Sequence, residues 1–244
     1  MTNNRQLIIG ANSEIAKAIA NEIKSEQGDN LIVISRDLSY YQASAFTLTQ
    51  KLAVTSYNEQ EIVSAVAQIA DDVLANVDQV FICHGLLHTE TFSPEKQLAS
   101  LNEHQFCQSM LSNALTPMLW LKHLSGKLTH KPTCQLVVFS ARIGSISDNQ
   151  LGGWYSYRAS KAALNMLLKS ASVEFQRRNK NLKLIAFHPG TTDTPLSKPF
   201  QRNVAPEKLF SANFVAQQLL SYLPDYQADG ELSYIDWQNQ SISY

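Results

Sequence analysis

Tyr157 and Lys161 stand four residues apart in the run Tyr157-Arg158-Ala159-Ser160-Lys161. On a helix, that spacing stacks a phenol and an ammonium on one face within side-chain reach. Carbonyl reduction needs a proton for the developing alkoxide, and a phenol of ordinary pKa about 10 exchanges its proton more readily beside a cation. A lysine so placed also reaches a nicotinamide ribose. The pair alone is common, and a solvated helix face is the plain alternative. Its surroundings favour chemistry, because it opens a run rich in Ala159, Ala162, Ala163, Leu164, Leu167 and Leu168, after an apolar strand and a Gly152-Gly153 turn.

A second candidate site lies near the N-terminus, where a strand ends at Gly10 and Ala11-Asn12-Ser13-Glu14-Ile15-Ala16 leads into a helix. Glycine lets backbone approach a pyrophosphate, and the free N–H groups and dipole of a helix start favour its charge. One glycine does not by itself separate this from an ordinary turn capped by Asn12 or Ser13. Glu14 would repel a phosphate unless its side chain points away. Ser35 and Arg36 end the second strand. A carboxylate there suits the ribose hydroxyls of NAD, whereas arginine suits the 2'-phosphate of NADP. Arg36 thus points to NADPH, with a solvated Arg36-Asp37 pair as the alternative.

These residues need a scaffold to bring them together. Short runs rich in Ile, Val, Leu and Phe alternate with stretches of helical period, the pattern of βαβ units. Strands are expected at 6–9, 31–35, 47–53, 79–83, 134–140, 183–188 and 232–236, and helices at 14–25, 59–74, 103–128, 155–178 and 211–223. The expected class is α/β, a single Rossmann-type doubly wound parallel sheet of about seven strands with helices on both faces. One domain accommodates all 244 residues. Pro195, Pro199 and Pro206 punctuate a stretch of little periodicity, expected to be a mobile loop on the substrate side.

Composition narrows the partners. Twenty basic and 21 acidic residues leave a net charge of -1, which gives no field for steering a polyanion or an anionic membrane. Nucleic acid is therefore not expected. The first apolar run meets Gly10 at once, leaving no room for a signal or transit peptide, and no apolar stretch is long enough to span a bilayer. Cys83, Cys107 and Cys134 are odd in number and far apart, which argues against a disulfide framework or a zinc knuckle and favours the cytoplasm. His84, His88 and His188 share no ligand spacing with a carboxylate or cysteine, so structural or substrate-wall roles are expected, and no metal.

Taken in order, Gly10, Gly85, Asn113, Ser140, Tyr157 with Lys161, and Pro189-Gly190 leading to Thr194 resemble the short-chain dehydrogenase/reductases. The resemblance covers essentially the full length. The runs Gly85-Leu86-Leu87-His88, Pro94-Glu95-Lys96, Ser140-Ala141-Arg142-Ile143-Gly144 and Trp154-Tyr155-Ser156-Tyr157 are similar to the C-factor branch, related to sniffer-type carbonyl reductases. It implies a bound nicotinamide cofactor, hydride transfer to a small carbonyl or from an alcohol, and homodimers or homotetramers paired through the two long helices. A C-factor-like sensor with little turnover is the alternative.

By the same resemblance Tyr157 is the general acid/base, Lys161 lowers its pKa and binds the ribose, and Asn113 holds a relay water. Asn12, Ser13, Glu14 and Ile15 would meet the pyrophosphate, and Val54, Cys83, His84 and Gly85 the adenine side. Pro189, Gly190, Thr192 and Thr194 would surround the nicotinamide, Thr194 donating to its carboxamide. The chain departs from the family pattern at several places. Glu14 and Ala16 fill glycine positions, Ile82-Cys83-His84 replace asparagines, and Ala53 replaces an aspartate. Counting back from Gly144 puts the carbonyl-orienting serine on Ala141, so the hydroxyl falls to Ser140, with Ser145 and Ser147 as alternatives.

Overall fold

The computed structural model describes residues 4–27 and 30–244. Its strands are β1 (Gln6–Ile9), β2 (Leu31–Ser35), β3 (Gln50–Ala53), β4 (Gln79–Ile82), β5 (Cys134–Phe139), β6 (Leu182–His188), β7 (Thr191–Thr192), β8 (Leu209–Phe210) and β9 (Ser233–Asp236). The helices are α1 (Glu14–Gln27), α2 (Glu59–Ala67), α3 (Asp71–Ala75), α4 (Glu103–Met110), α5 (Thr116–Leu124), α6 (Tyr155–Arg178) and α7 (Ala212–Tyr222). Seven strands form one sheet in the order β3-β2-β1-β4-β5-β6-β9, every neighbouring pair parallel. This is the expected Rossmann-type α/β fold.

Alternation along the buried strands builds the two faces. Leu7, Ile9, Val80 and Ile82 pack with Ile62, Trp120, Leu164 and Leu168 of α2, α5 and α6. Ile8 and Phe81, one residue out of phase, pack instead with Ile19 of α1 and with Val215 and Leu219 of α7. Strands buried on both faces read as continuous apolar runs, which is why the sequence revealed them. The chain's direction of travel across the sheet reverses between β1 and β4, and a crevice opens there at the carboxyl ends of the strands.

Three expected elements differ. Residues 47–49 are a turn, in which Thr47 N donates to Ser44 O and Thr49 N to Phe46 O, so β3 begins only at Gln50. The helix expected over 59–74 breaks after Ala67. Gln68 and Ile69 tighten to i→i−3 bonds, Ala70 is extended, and Asp71-Asp72 start α3 where acids suit the helix dipole. The helix expected over 103–128 is interrupted by a π-helical turn, Leu111–Leu115, and ends at Leu124. The proline-punctuated stretch is organised as 3₁₀ turns at Lys198–Asn203 and Pro206–Lys208, joined to the short β7-β8 pair. Among the described residues no helix is long and apolar enough to cross a membrane.

Candidate active site

A cavity of about 580 Å³ lies along the carboxyl ends of β1, β4, β5 and β6. One end is the turn after β1. Gly10 has φ +74°, and a Cβ there would come within 3.1 Å of Cys83 O on the neighbouring strand, so only glycine lets the two backbones approach. Ser13 N donates to Gly10 O, and Ser13 Oγ accepts from Ala16 N. The N–H groups of Glu14 and Ile15 are left at the open helix end, and Asn12, Ser13, Glu14 and Ile15 all line the cavity. The Glu14 carboxylate is drawn to Lys17 at 2.9 Å, which offsets its negative charge beside the phosphate turn.

Arg36 and Ser35 lie outside the cavity wall, beside this end. The exposed Arg36 guanidinium sits 5.4 Å from the Tyr57 ring centroid. Its neighbour Asp37 does not pair with it. The Asp37 carboxylate accepts from Ser39 N and from Asn12 Nδ2 at 3.3 Å, and the backbone N–H of Ser39 first of all holds it below its ordinary pKa. Ser35 is buried with Oγ accepting from Asp37 N, and Val54 is buried in the core. Cys83, His84 and Gly85 line the cavity behind Gly10. His84 packs edge-on against Tyr57, and burial pulls its imidazole down to about 3, so it stays neutral. Its Nε2 has no partner.

The other end is built by β5 and α6. Gly144 brings the loop after β5 against α6 so closely that a Cβ would lie 2.8 Å from Lys161 C. Glu95 anchors the start of α6, its buried carboxylate accepting from Ser156 N at 3.2 Å and from Ser156 Oγ. Trp154, the residue before the helix, is held at φ 53°, a left-handed conformation rare for a bulky side chain. Its ring meets both Tyr157 (6.2 Å) and Phe200 (5.0 Å). These contacts set the first turn of α6, which carries Tyr157, with Lys161 one turn on.

Tyr157 and Lys161 both line the cavity, with Lys161 Nζ 5.9 Å from the phenol ring centroid. Lys161 Nζ also donates to Phe139 O at 2.8 Å, and burial lowers its pKa to about 8. Contrary to the lowering expected from Lys161, burial, with a smaller push from Tyr234, raises the Tyr157 phenol above its ordinary range, so the free protein's phenol holds its proton. Asn113, in the π turn, is buried outside the cavity. Its Oδ1 accepts from Leu86 N, and its Nδ2 donates to Leu86 O and to Ser160 Oγ at 3.0 Å. π turns recur at functional sites, and this one ties the loop after β4 to the helix of Tyr157.

The candidate hydroxyls are already engaged. Ser140 Oγ lies at the cavity wall but donates to Asn165 Oδ1 at 2.6 Å. Ser145 is buried outside the cavity, bonded to Ser147 Oγ and Asp148 N. Ser147 Oγ donates to Tyr244 O. Ala141, with its methyl group, lines the cavity at the position counted back from Gly144. Pro189, Gly190, Thr192 and Thr194 line the opposite wall, where Thr192 Oγ1 donates to Pro189 O at 3.4 Å. Sequence reasoning did not select Leu87, Ile143, Trp154, Leu196, Phe200 or Val204, which close the cavity with apolar surface. The available signal was the set of large apolar residues scattered among the prolines after Thr194.

Residues 4–205 match the family described as short chain dehydrogenase. The chain belongs to that family. Among curated relatives, 1-hydroxy-2-glutathionyl-2-methyl-3-butene dehydrogenase of Rhodococcus sp. (strain AD45) is 27% identical over 194 residues, 80% of each chain. The C-signal of Myxococcus xanthus is 29% identical over 112 residues, covering 46% of this chain and 66% of that protein. The solved structure of carbonyl reductase Sniffer of D. melanogaster superposes with a TM-score of 0.83 at 16% identity, covering 99% of both chains. These findings agree with the resemblance read from the ordered motifs of this short-chain dehydrogenase.

Proposed function

We propose that this short-chain dehydrogenase reduces a small carbonyl compound with NADPH, or oxidises the matching secondary alcohol with NADP. The observation that carries the reading is the joint placement of Tyr157 and Lys161 in the wall of a cavity whose far end is the open start of α1. The nicotinamide, when bound, supplies or accepts the hydride. Tyr157 gives its proton to the developing alkoxide, and Lys161 supplies the nearby positive charge and binds the ribose. Glu14 and Ile15 N–H groups receive the pyrophosphate beside Gly10, Asn12 and Ser13.

Ser35, Val54, Cys83, His84 and Gly85 border the adenosine half. The preference for NADPH rests on Arg36, whose guanidinium is exposed and unclaimed by Asp37. Pro189, Gly190, Thr192 and Thr194 border the nicotinamide, with Thr194 donating to its carboxamide. Asn113 enters as a positioning residue and holder of the relay water. The whole chain acts as one nucleotide-binding domain in the cytoplasm. It pairs as a homodimer or homotetramer through the face where Leu111, Leu115, Met166 and Leu167 are exposed.

A specific observation favours a second reading, a cofactor-occupied sensor with little turnover: a methyl, that of Ala141, stands where the resemblance calls for a serine hydroxyl. One experiment separates the two. Fluorescence titration with NADPH and NADH, followed by a broad carbonyl panel, gives Tyr157-dependent NADPH oxidation from an enzyme and tight binding without turnover from a sensor. Failure to bind either nucleotide contradicts both.

A further inference from the structure

A carbonyl oxygen that becomes an alkoxide inside a largely apolar cavity gains from a second preorganised donor beside the phenol. On the wall built by the ends of β5 and β6 the candidates are few. Ser140 is spent on Asn165, Lys161 on Phe139 O, and Ala141 has no donor in its side chain. His188 remains. It ends β6 and lines the cavity, and Ser140 N donates to Phe187 O at 2.9 Å, so His188 sits beside Ser140 at the sheet's carboxyl edge. Phe187 packs into the core on the α1 and α7 side, so by strand alternation His188 faces the α6 side, as Ser140 does.

Nδ1 of the His188 ring is buried, with no hydrogen-bond partner among the described residues. An orphaned buried acceptor is tolerated better than an orphaned N–H, which favours the tautomer with its proton on Nε2. We infer that neutral His188 presents Nε2–H to the substrate carbonyl oxygen, forming with Tyr157 the donor pair that holds the developing alkoxide. The inference rests on the carbonyl-reductase reading above. The ring keeps its neutral form because burial, with Arg142 and Lys161 on the same side of the balance and Asp236 against, lowers its pKa to about 4. No net proton leaves His188, since Tyr157 supplies the proton that the alkoxide takes up.

The test uses NADPH and an aryl aldehyde that the wild-type protein reduces. His188→Phe keeps a ring and removes the donor, while His188→Gln keeps a donor. Loss of one oxyanion donor costs roughly 100-fold or more in kcat. The expected result is a loss of that order in His188→Phe with unchanged NADPH affinity, a loss below about tenfold in His188→Gln, and partial recovery of His188→Phe by adding Ala141→Ser. If His188→Phe does not fold, His188→Met against His188→Gln makes the same comparison. A kcat within threefold of wild type in the donor-free variant overturns the inference, as do equal losses in the Gln and donor-free variants. Absence of Tyr157-dependent turnover in the wild type would remove the underlying reading as well, and is seen before any His188 variant is made.

Discussion

Lys161 Nζ donates to the Phe139 carbonyl oxygen across 2.8 Å, tying the second turn of α6 to the end of β5. The bond aims a buried cation into the cavity beneath the Tyr157 ring. Burial makes that cation easy to lose, because the lysine titrates near 8 rather than near its ordinary 10.5. Above that pH the amine is neutral and, on the proposed reading, no longer offers a charge to the cofactor. The free protein should therefore bind NADPH more weakly as pH rises through about 8, approaching tenfold per unit at the limit. Fluorescence titrations from pH 6.5 to 9.5 should show the slope in wild type and lose it in Lys161→Met.

On the proposed reading Arg36 offers its guanidinium to a 2'-phosphate, and the Asp37 carboxylate does not occupy it. A charge-assisted hydrogen bond contributes about 1.5–3 kcal/mol, so Arg36→Ala should weaken NADPH binding roughly 10- to 100-fold. NADH affinity should change by less than about threefold, since that cofactor lacks the phosphate. Equal losses for both nucleotides would remove Arg36 from cofactor choice.

Glu95 holds the first turn of α6 through Ser156 N and Ser156 Oγ while buried to 3% exposure. Glu95→Ala strands both donors and should cost about 1–3 kcal/mol, a fall in Tm of several degrees for a chain of this size. Glu95→Gln keeps one acceptor and should lose less. Thermal unfolding by circular dichroism decides it.

Much of this was legible because its causes are local. Tyr157 and Lys161 share a helix, so spacing alone put them together, and strands buried on both faces announce themselves as Leu-Ile-Ile or Leu-Val-Val runs. Other features depend on distant partners. The apolar period of Ile62, Val66, Ile69 and Val73 runs unbroken across the gap between α2 and α3, so nothing in it marks the break. Residues 47–49 alternate like a strand, yet Leu48 is 66% exposed on a turn. The Ser140 hydroxyl turns to Asn165, 25 residues further along the chain, which no local pattern encodes. Likewise the apolar wall of Leu196, Phe200 and Val204 arises from non-periodic sequence folded over the cavity.

His84 and His188 are held neutral in the folded protein, with pKa values of about 3 and about 4 against an ordinary 6.5. The unfolded chain binds protons that the folded one refuses, so stability is whole above pH 6.5 and falls as pH drops towards 4. Each histidine contributes at most about 1.4 kcal/mol per pH unit within that window. Urea unfolding at pH 7, 6 and 5 should show the decline, and His84→Asn should flatten part of it.

In the proposed reaction Tyr157 delivers the proton. The most direct measurement is single-turnover oxidation of bound NADPH by an aryl aldehyde, comparing wild type with Tyr157→Phe at saturating cofactor. Removing a positioned general acid should slow the step by roughly 100-fold or more with NADPH affinity unchanged. A Tyr157→Phe protein that oxidises NADPH at the wild-type rate would rule out Tyr157 as the proton donor.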